Sequence, residues 1–262
     1  MNEAQHNTAA HKKAFKAFKG FEGVLLFLAL AICWQLTSTM LPLRNAALYP
    51  TPAVTFKALK DSLPELLKGT WSSFLILVPG YLLAVILGAL WGIVVGSVKW
   101  IHRAFDPFAK VAAPIPPTVY IPYAIALMPT FRVSAILVVF IGAFWPVFVN
   151  AAAGAASVPL RYRDNAGILG FGRFEYMRRV VFPASLPNIF SGMAVGLALA
   201  FILLTVAELF GANQGLGRFV QYYADYADYP RMVAGILYTG MVTFVSMALL
   251  DFIKRRVLFW VR

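Results

Sequence analysis

Long runs of apolar residues alternate with short polar stretches along the chain. About 20 residues of helix cross a hydrocarbon layer of about 30 Å, so runs of this length predict membrane-spanning helices. Six runs qualify by this measure, at residues 23–41, 71–98, 111–128, 134–153, 190–210 and 232–252. The pattern therefore predicts an all-α membrane protein with six transmembrane helices.

The third run is short and contains four prolines, Pro114, Pro116, Pro117 and Pro122. Proline removes a backbone donor and clashes with the preceding helical turn, so the run predicts a kinked helix. Irregular backbone at membrane depth is tolerated only where protein or water covers it. We therefore expect this segment to lie inside the bundle rather than against lipid.

The first 22 residues form a basic segment before the first run. Phe15, Phe18 and Phe21 follow helical spacing among four lysines, a pattern typical of a helix at the inner membrane surface. A basic tail without structure is the alternative. A cleaved signal peptide is a further alternative, but the run is long for that role and no small-x-small cleavage site follows. We predict a retained first helix.

A second flanking helix is predicted on the opposite side of the membrane. Thr51 followed by Pro52 is typical of a helix start, with a capping hydroxyl and a proline at the first helical position. This helix is expected to run to about Lys68, with a possible break at Pro64.

Composition agrees with a membrane protein. Apolar residues make up 60% of the 262 residues and charged residues 13%, which is not typical of a soluble enzyme domain. The single cysteine, Cys33, excludes an internal disulfide, and the three histidines show no metal-ligand spacing. The net charge of +12 is explained by basic residues flanking the spans rather than by binding to nucleic acid.

The 23 lysines and arginines are divided unequally between the two sides of the predicted membrane. Sixteen fall on the side of the N-terminus and seven on the other. By the positive-inside rule, both termini are expected to be cytoplasmic. The predicted organisation is a cytoplasmic segment 1–22, one transmembrane domain 23–252 and a basic cytoplasmic tail 253–262.

Small residues recur every fourth position in two of the runs. Gly88, Gly92 and Gly96 form one such stripe, and Gly192, Gly196 and Ala200 form the other. In lipid, helices associate through close packing, which small residues permit. The stripes are interpreted as packing surfaces, although a surface on which helices glide would have the same pattern.

The segment 154–188 is the longest predicted cytoplasmic loop and contains a recognisable motif. It resembles the signature loop of ABC importer permeases, E-A-A-x3-G-x9-I-x-L-P. The first part of that motif falls on Asp164, Asn165 and Ala166, and its glycine on Gly170. Its last three positions fall on Val180, Phe182 and Pro183. Asn165 departs from the alanine of the pattern.

Two further stretches are similar to the nitrate, sulfonate, taurine and bicarbonate permeases. They are APIPPTVYIPYAIA at residues 113–126 and AELFGANQGLG at residues 207–217. The resemblance implies a type I ABC importer permease fold, with cytoplasmic coupling helices in the loop 154–188. The residues implied to contact the ATPase are Arg163, Asp164, Asn165, Ala166, Gly170 and Pro183.

The resemblance also implies the partners and the cargo. Two permease copies would form the pathway in a bacterial inner membrane, two ATPase subunits would bind ATP and Mg²⁺, and a soluble binding protein would deliver the solute. The chain itself has no G-x-x-x-x-G-K-[ST] phosphate loop, so no cofactor and no enzymatic activity are assigned to it. The expected cargo is a sulfonate or other small oxyanion. Alternatives are an aromatic or vitamin-like solute, or a self-sufficient channel or secondary transporter.

Four residues within the runs are candidates for contact with cargo. Glu208 is ionisable, and charge at membrane depth is costly unless it has a function or a partner. Its alternative role is structural, with a neighbouring helix, Arg132 or backbone donors near Gly211 as its partner. Thr205 lies three residues earlier, while Asn150 and Phe144 lie in the fourth run.

Overall fold

The computed structural model describes residues 25–26, 28–40 and 48–260, apart from the side chain of Asp106. The predicted amphipathic segment 1–22 lies outside these residues. The described helices are α1 (Leu28–Met40), α2 (Pro52–Asp61), α3 (Leu63–Ser97), α4 (Lys99–Ala112), α5 (Ile121–Leu127), α6 (Phe131–Ala156), α7 (Leu160–Ile168), α8 (Arg173–Tyr176), α9 (Phe182–Gly211), α10 (Leu216–Asp225) and α11 (Tyr229–Val257).

The long helices coincide with the apolar runs. Among the residues that the structure describes, four segments are long and apolar enough to cross a membrane, namely α3, α6, Arg173–Gly211 and α11. The third of these joins α8 to α9 through a π-helical turn, Met177–Val181. Shorter apolar helices, Leu28–Met40 and Pro117–Leu127, match the first and third runs. The predicted all-α fold class is therefore confirmed.

The proline-rich third run is broken, as predicted. After α4 ends at Ala112, the chain turns and forms a 3₁₀ segment, Pro117–Tyr120, and then the seven-residue α5. One face of α5 is buried through Ile121 and Ala124. Tyr123 on the opposite face is 67% exposed in the single chain, and so is Val119 in the preceding 3₁₀ segment. Only one face of the segment lies inside this bundle.

Helix α4 fills the interval between the second and third apolar runs, where the apolar pattern predicts no helix. Aromatic and aliphatic side chains alternate with charges at helical spacing, so no uninterrupted apolar run marks this helix. Pro107 lies inside the helix, and an internal proline in a sequence normally indicates the end of a helix.

The flanking helix predicted to begin at Thr51 is divided into two, and the predicted break is confirmed. Helix α2 ends at Asp61, and Pro64 lies in the first turn of α3. Thr51 is the N-cap residue of α2 by position, but its hydroxyl makes no capping hydrogen bond.

Helices α3 and α6 run parallel and pack through small residues. The predicted stripe on α3 is longer than the sequence suggested, because Gly80 and Ala84 precede Gly88, Gly92 and Gly96 on the same buried face. A Cβ atom added at Gly92 would lie 2.6 Å from the carbonyl oxygen of Phe148, and one at Gly88 3.1 Å from that of Phe144. The two backbones therefore approach too closely for larger residues.

Helix α9 packs against another side of α6 and runs antiparallel to it. A Cβ atom at Gly192 would lie 2.7 Å from the carbonyl oxygen of Pro146, and one at Gly196 3.0 Å from that of Ala143. Ala200, the third member of the predicted stripe, is fully buried. Both stripes are therefore packing surfaces, and α6 lies between them.

We expect Gly92→Ala to destabilise the protein by about 1–3 kcal/mol, the usual cost of overpacking a close contact. The matched control is Gly240→Ala on α11, where an added methyl group would meet nothing within 4 Å. Thermal unfolding in detergent, followed by size-exclusion chromatography, measures the difference. Equal midpoints for the two variants would contradict the close α3–α6 contact.

Candidate coupling and pathway sites

Helix α7 ends in a tight turn that requires glycine. The N–H of Phe171 donates to the carbonyl of Ala166 at 2.9 Å, and the N–H of Gly170 donates to that of Gly167 at 3.1 Å. This pair of bonds is a Schellman motif, which needs a left-handed residue directly after the helix. Gly170 has φ +71° and fills that position. Gly172 has φ −65°, so its backbone does not require glycine.

The turn carries an exposed apolar tip, which we call the coupling knob and define as residues 160–176. Its most exposed apolar side chains are Ile168, Leu169 and Phe174, at 84%, 68% and 79%. Ala166, one of the residues implied to contact the ATPase, is instead buried beneath the tip. Ile168 and Phe174 occupy unspecified positions of the motif, so the sequence comparison did not single them out.

The polar residues at the start of the motif lie on the exposed side of α7. Arg163, Asp164 and Asn165 are exposed, and none of them forms an ion pair among the described residues. Pro183 is half-buried in the first turn of α9. Arg179 lies over the ring of Phe171 at 5.4 Å and pairs with Glu175 at 3.2 Å, which fixes the turn against the following helix.

At the other end of the bundle, Glu208 is fully buried on α9. The hydroxyl of Ser73 on α3 donates to its Oε1 at 2.6 Å, and the N–H of Gly217 donates to its Oε2 at 2.7 Å. The N–H of Leu216 in turn donates to Ser73 Oγ at 2.9 Å. Both oxygens of the carboxylate are therefore partnered.

This arrangement places a carboxylate at the N-terminus of α10. The first N–H groups of a helix lack intrahelical partners and carry a partial positive charge, so they stabilise an anion. The sequence had offered Arg132 or backbone near Gly211 as partners, whereas the structure supplies Ser73 and the α10 backbone. Gly215 lies directly against the carboxyl group, and its φ of +151° and the lack of space for a Cβ require glycine there.

A cavity of about 320 Å³ opens beside this network, between the start of α3 and α10. Lys68, Gln214 and Arg218 line it, whereas Glu208 does not. The hydroxyl of Tyr223 donates to Glu65 at 2.9 Å, which ties α10 to α3 a second time. Burial and this carboxylate raise the pKa of Tyr223 above its ordinary value.

The other three candidate pathway residues are also engaged in local contacts. Thr205 donates to the carbonyl of Phe201 at 2.9 Å, and Asn150 donates to that of Pro146 at 2.8 Å. Phe144 stacks on Phe148, with ring centroids 5.6 Å apart. Glu208 and Thr205 adjoin Gly217, while Asn150 and Phe144 lie elsewhere along α6. The structure therefore brings no four-residue site together.

The long apolar helices define a multi-pass membrane protein. Together with the coupling knob, they give it the architecture of an ABC importer permease. The chain belongs to the family described as binding-protein-dependent transport system inner membrane component, which it matches over residues 69–259. The resemblance found in the sequence is thereby confirmed. The fold is similar to that of a solved structure titled an inward-facing conformation of a methionine ABC transporter. The TM-score is 0.64 at 17% identity, over 76% of this chain and 98% of that one.

Named relatives are transport permeases rather than enzymes, in agreement with the sequence prediction. A nitrate import permease of Leptolyngbya laminosa is 32% identical, over 68% of this chain and 64% of its own length. A Bacillus subtilis protein named as an aliphatic sulfonates transport permease is 29% identical, over 95% of this chain and 91% of its own. The taurine transport permease of Escherichia coli is 30% identical, over 68% and 64%. The chain thus covers slightly under two thirds of the nitrate permease that it matches.

We expect Glu208→Leu to destabilise the protein by about 2–4 kcal/mol, because it leaves the Ser73 hydroxyl and the Gly217 N–H buried without an acceptor. Glu208→Gln retains one acceptor oxygen and should cost less. Ser73→Ala should also destabilise, since it removes the acceptor of the Leu216 N–H. Thermal unfolding in detergent checks this order. Wild-type stability of Glu208→Leu would exclude a structural role for the carboxylate.

Proposed function

We propose that this chain is the membrane subunit of an ATP-driven importer, and that two copies form a pathway for a small solute. The observation that carries the proposal is the coupling knob. It combines an exposed apolar tip, exposed charges and a glycine-dependent turn at the position of the family motif. Such a projection suits a groove on a soluble partner.

The energy would come from that partner. The sequence contains no phosphate-binding loop, so ATP and Mg²⁺ would be bound by two separate ATPase subunits, one docked on each coupling knob. Motion of the knob would reach the spans directly. Helix α7 begins four residues after the end of α6, and α8 continues through Met177–Val181 into α9. ATP binding and hydrolysis would then bias the two copies between outward-open and inward-open states.

The proposed orientation places both termini and the coupling knob in the cytoplasm. The unequal division of lysine and arginine supports it, since the more basic side includes the knob. The Glu208 network, the cavity beside it and α10 then lie at the outer end, where a soluble binding protein would deliver the solute.

The proposed cargo is a sulfonate or other small oxyanion. The names of the relatives, which refer to nitrate, aliphatic sulfonates, taurine and bicarbonate, support this class. The paired state of Glu208 supports it too, because a hydrogen-bonded, buried carboxylate does not present a free negative charge to the pathway. An aromatic or vitamin-like solute is the second candidate, which the adjoining rings of Phe140, Phe144 and Phe148 would suit.

We expect Gly170→Ala to weaken coupling, because a residue with a Cβ in the left-handed conformation costs about 1–2 kcal/mol and distorts the knob. Gly172→Ala is the matched control two residues away, with an ordinary φ and nothing within 4 Å of an added methyl group. The measurement is substrate-stimulated ATPase activity of the reconstituted importer. Equal stimulation in Gly170→Ala and Gly172→Ala would count against a coupling role for this turn.

The cargo class is tested on the binding protein that co-purifies with the importer. Calorimetry against nitrate, bicarbonate, taurine, alkanesulfonates and aromatic acids should show binding of an oxyanion or sulfonate. Binding restricted to uncharged or cationic compounds would overturn the proposed class. Co-purification of the chain with an ATPase is a separate test, which distinguishes an importer from a self-sufficient channel.

A further inference from the structure

Charged and amide side chains line the cavity between the start of α3 and α10. Lys68 and Glu65 contribute from α3, Arg218 contributes from α10, and Asn213 and Gln214 contribute from the loop before α10. The volume of the cavity is about 320 Å³. Pockets for small ligands begin at about 300 Å³, so the cavity can hold one small solute.

Three sets of hydrogen bonds hold the walls of this cavity together. The hydroxyl of Ser72 donates to the carbonyl oxygen of Gln214 at 3.1 Å, which fixes the loop before α10 against α3. The hydroxyl of Tyr223 donates to Glu65 at 2.9 Å, and the Glu208 network supplies the third set. The cavity therefore lies between elements that are joined at several points, although its cationic residues are 150 positions apart in the sequence.

The two cationic side chains of the cavity have no acidic partner within the described part of the chain. Neither Lys68 nor Arg218 forms an ion pair there. Arg218 is half-buried and lies over the ring of Tyr222, at 5.8 Å from its centroid. Removing a charge from water costs free energy unless an opposite charge accompanies it, so this guanidinium favours an anion beside it.

The acidic groups near the cavity do not cancel this preference. Glu65 lines the cavity and accepts a hydrogen bond from Tyr223. Glu208 lies behind Gly215 and outside the lining, with both of its oxygens hydrogen-bonded. Two cations and one carboxylate leave the lining with a formal charge of +1. A single negative charge balances it, whereas a cation of similar size would be repelled.

We propose that this cavity is a binding site for the monoanionic head group of the cargo, which Lys68 and Arg218 contact from opposite walls. The proposal rests on the proposed import function, and it adds a place on this chain that the cargo occupies after it leaves the binding protein. A sulfonate, nitrate or bicarbonate group carries one charge and several acceptor oxygens. These oxygens suit the donors of a guanidinium and an ammonium group.

Protection of a thiol inside the cavity tests the site without the natural cargo. Cys33→Ser removes the native thiol of this chain, and Gln214→Cys places one in the cavity while it keeps the carbonyl that Ser72 contacts. The importer, purified with its ATPase in nanodiscs, is treated with uncharged methyl methanethiosulfonate, and mass spectrometry follows the modification of this chain. At constant ionic strength, ethanesulfonate should slow the reaction, whereas ethyl methyl sulfone, an uncharged molecule of similar shape, should not.

Charge substitutions should change this protection in opposite directions. Lys68→Gln and Arg218→Gln should each weaken binding of ethanesulfonate by about fivefold, and Arg218→Lys, which keeps the charge, should retain most of it. Glu65→Gln removes a negative charge and should strengthen binding, since glutamine still offers Tyr223 an acceptor oxygen. Residues that only maintained the fold would not give this pattern.

The matched control is Tyr226→Cys, an exposed position directly after α10 that does not line the cavity. Ethanesulfonate should leave the reaction of this thiol unchanged. No protection at position 214, equal protection by the sulfone, or protection that survives the loss of both cations would overturn the proposal. Weaker protection in Glu65→Gln would overturn it too.

An uptake measurement separates this site from the function on which it rests. With saturating binding protein, Lys68→Gln together with Arg218→Gln should slow the uptake of a transported anion severalfold. Unchanged uptake in this double variant would remove the cavity from the route of the cargo and overturn the proposal. If the wild-type importer takes up no anion, the proposed cargo class fails instead, whereas protection at position 214 still reports whether the cavity binds a monoanion.

Discussion

The fold depends on how closely three helix backbones can approach one another. Helix α6 lies between α3 and α9, and both contacts are made by residues with little or no side chain. Apolar side chains gain little by leaving lipid for protein, so this close approach has to supply the attraction between helices. The positions of the coupling knob, the Glu208 network and α4 all follow from it, because each is attached to α3, α6 or α9.

The Glu208 network shows how a charge can be structural inside such a bundle. The carboxylate receives two donors, one from a neighbouring helix and one from the start of α10. It accepts the N–H of Gly217, while Ser73 accepts that of Leu216, and the network joins α3, α9 and α10 at one point. Hydrogen bonds, rather than an opposite charge, offset the free-energy cost of removing this carboxylate from water.

The sequence predicted the features that depend on local pattern. Apolar runs located the spans, four-residue spacing located the packing stripes, and the motif located the turn at Gly170. It could not predict features that depend on distant residues. Ser73 is 135 residues from Glu208, and nothing near either residue indicates the pair. Helix α4 was missed for a different reason, because its charges interrupt the apolar run and Pro107 suggests a loop.

The continuity of α8 with α9 has a mechanical consequence. Arg173–Gly211 is a helical rod of 39 residues, about 58 Å long. Its glycines at 192 and 196 rest on α6 near the middle of that length. If the rod moves as a rigid body, this contact is a fulcrum, with one arm of about 28 Å towards the coupling knob and one of about 18 Å from Gly196 to Glu208. A push at the end that carries the coupling knob would then tilt the Glu208 end the opposite way, by about two thirds of the displacement and with no change in the fold.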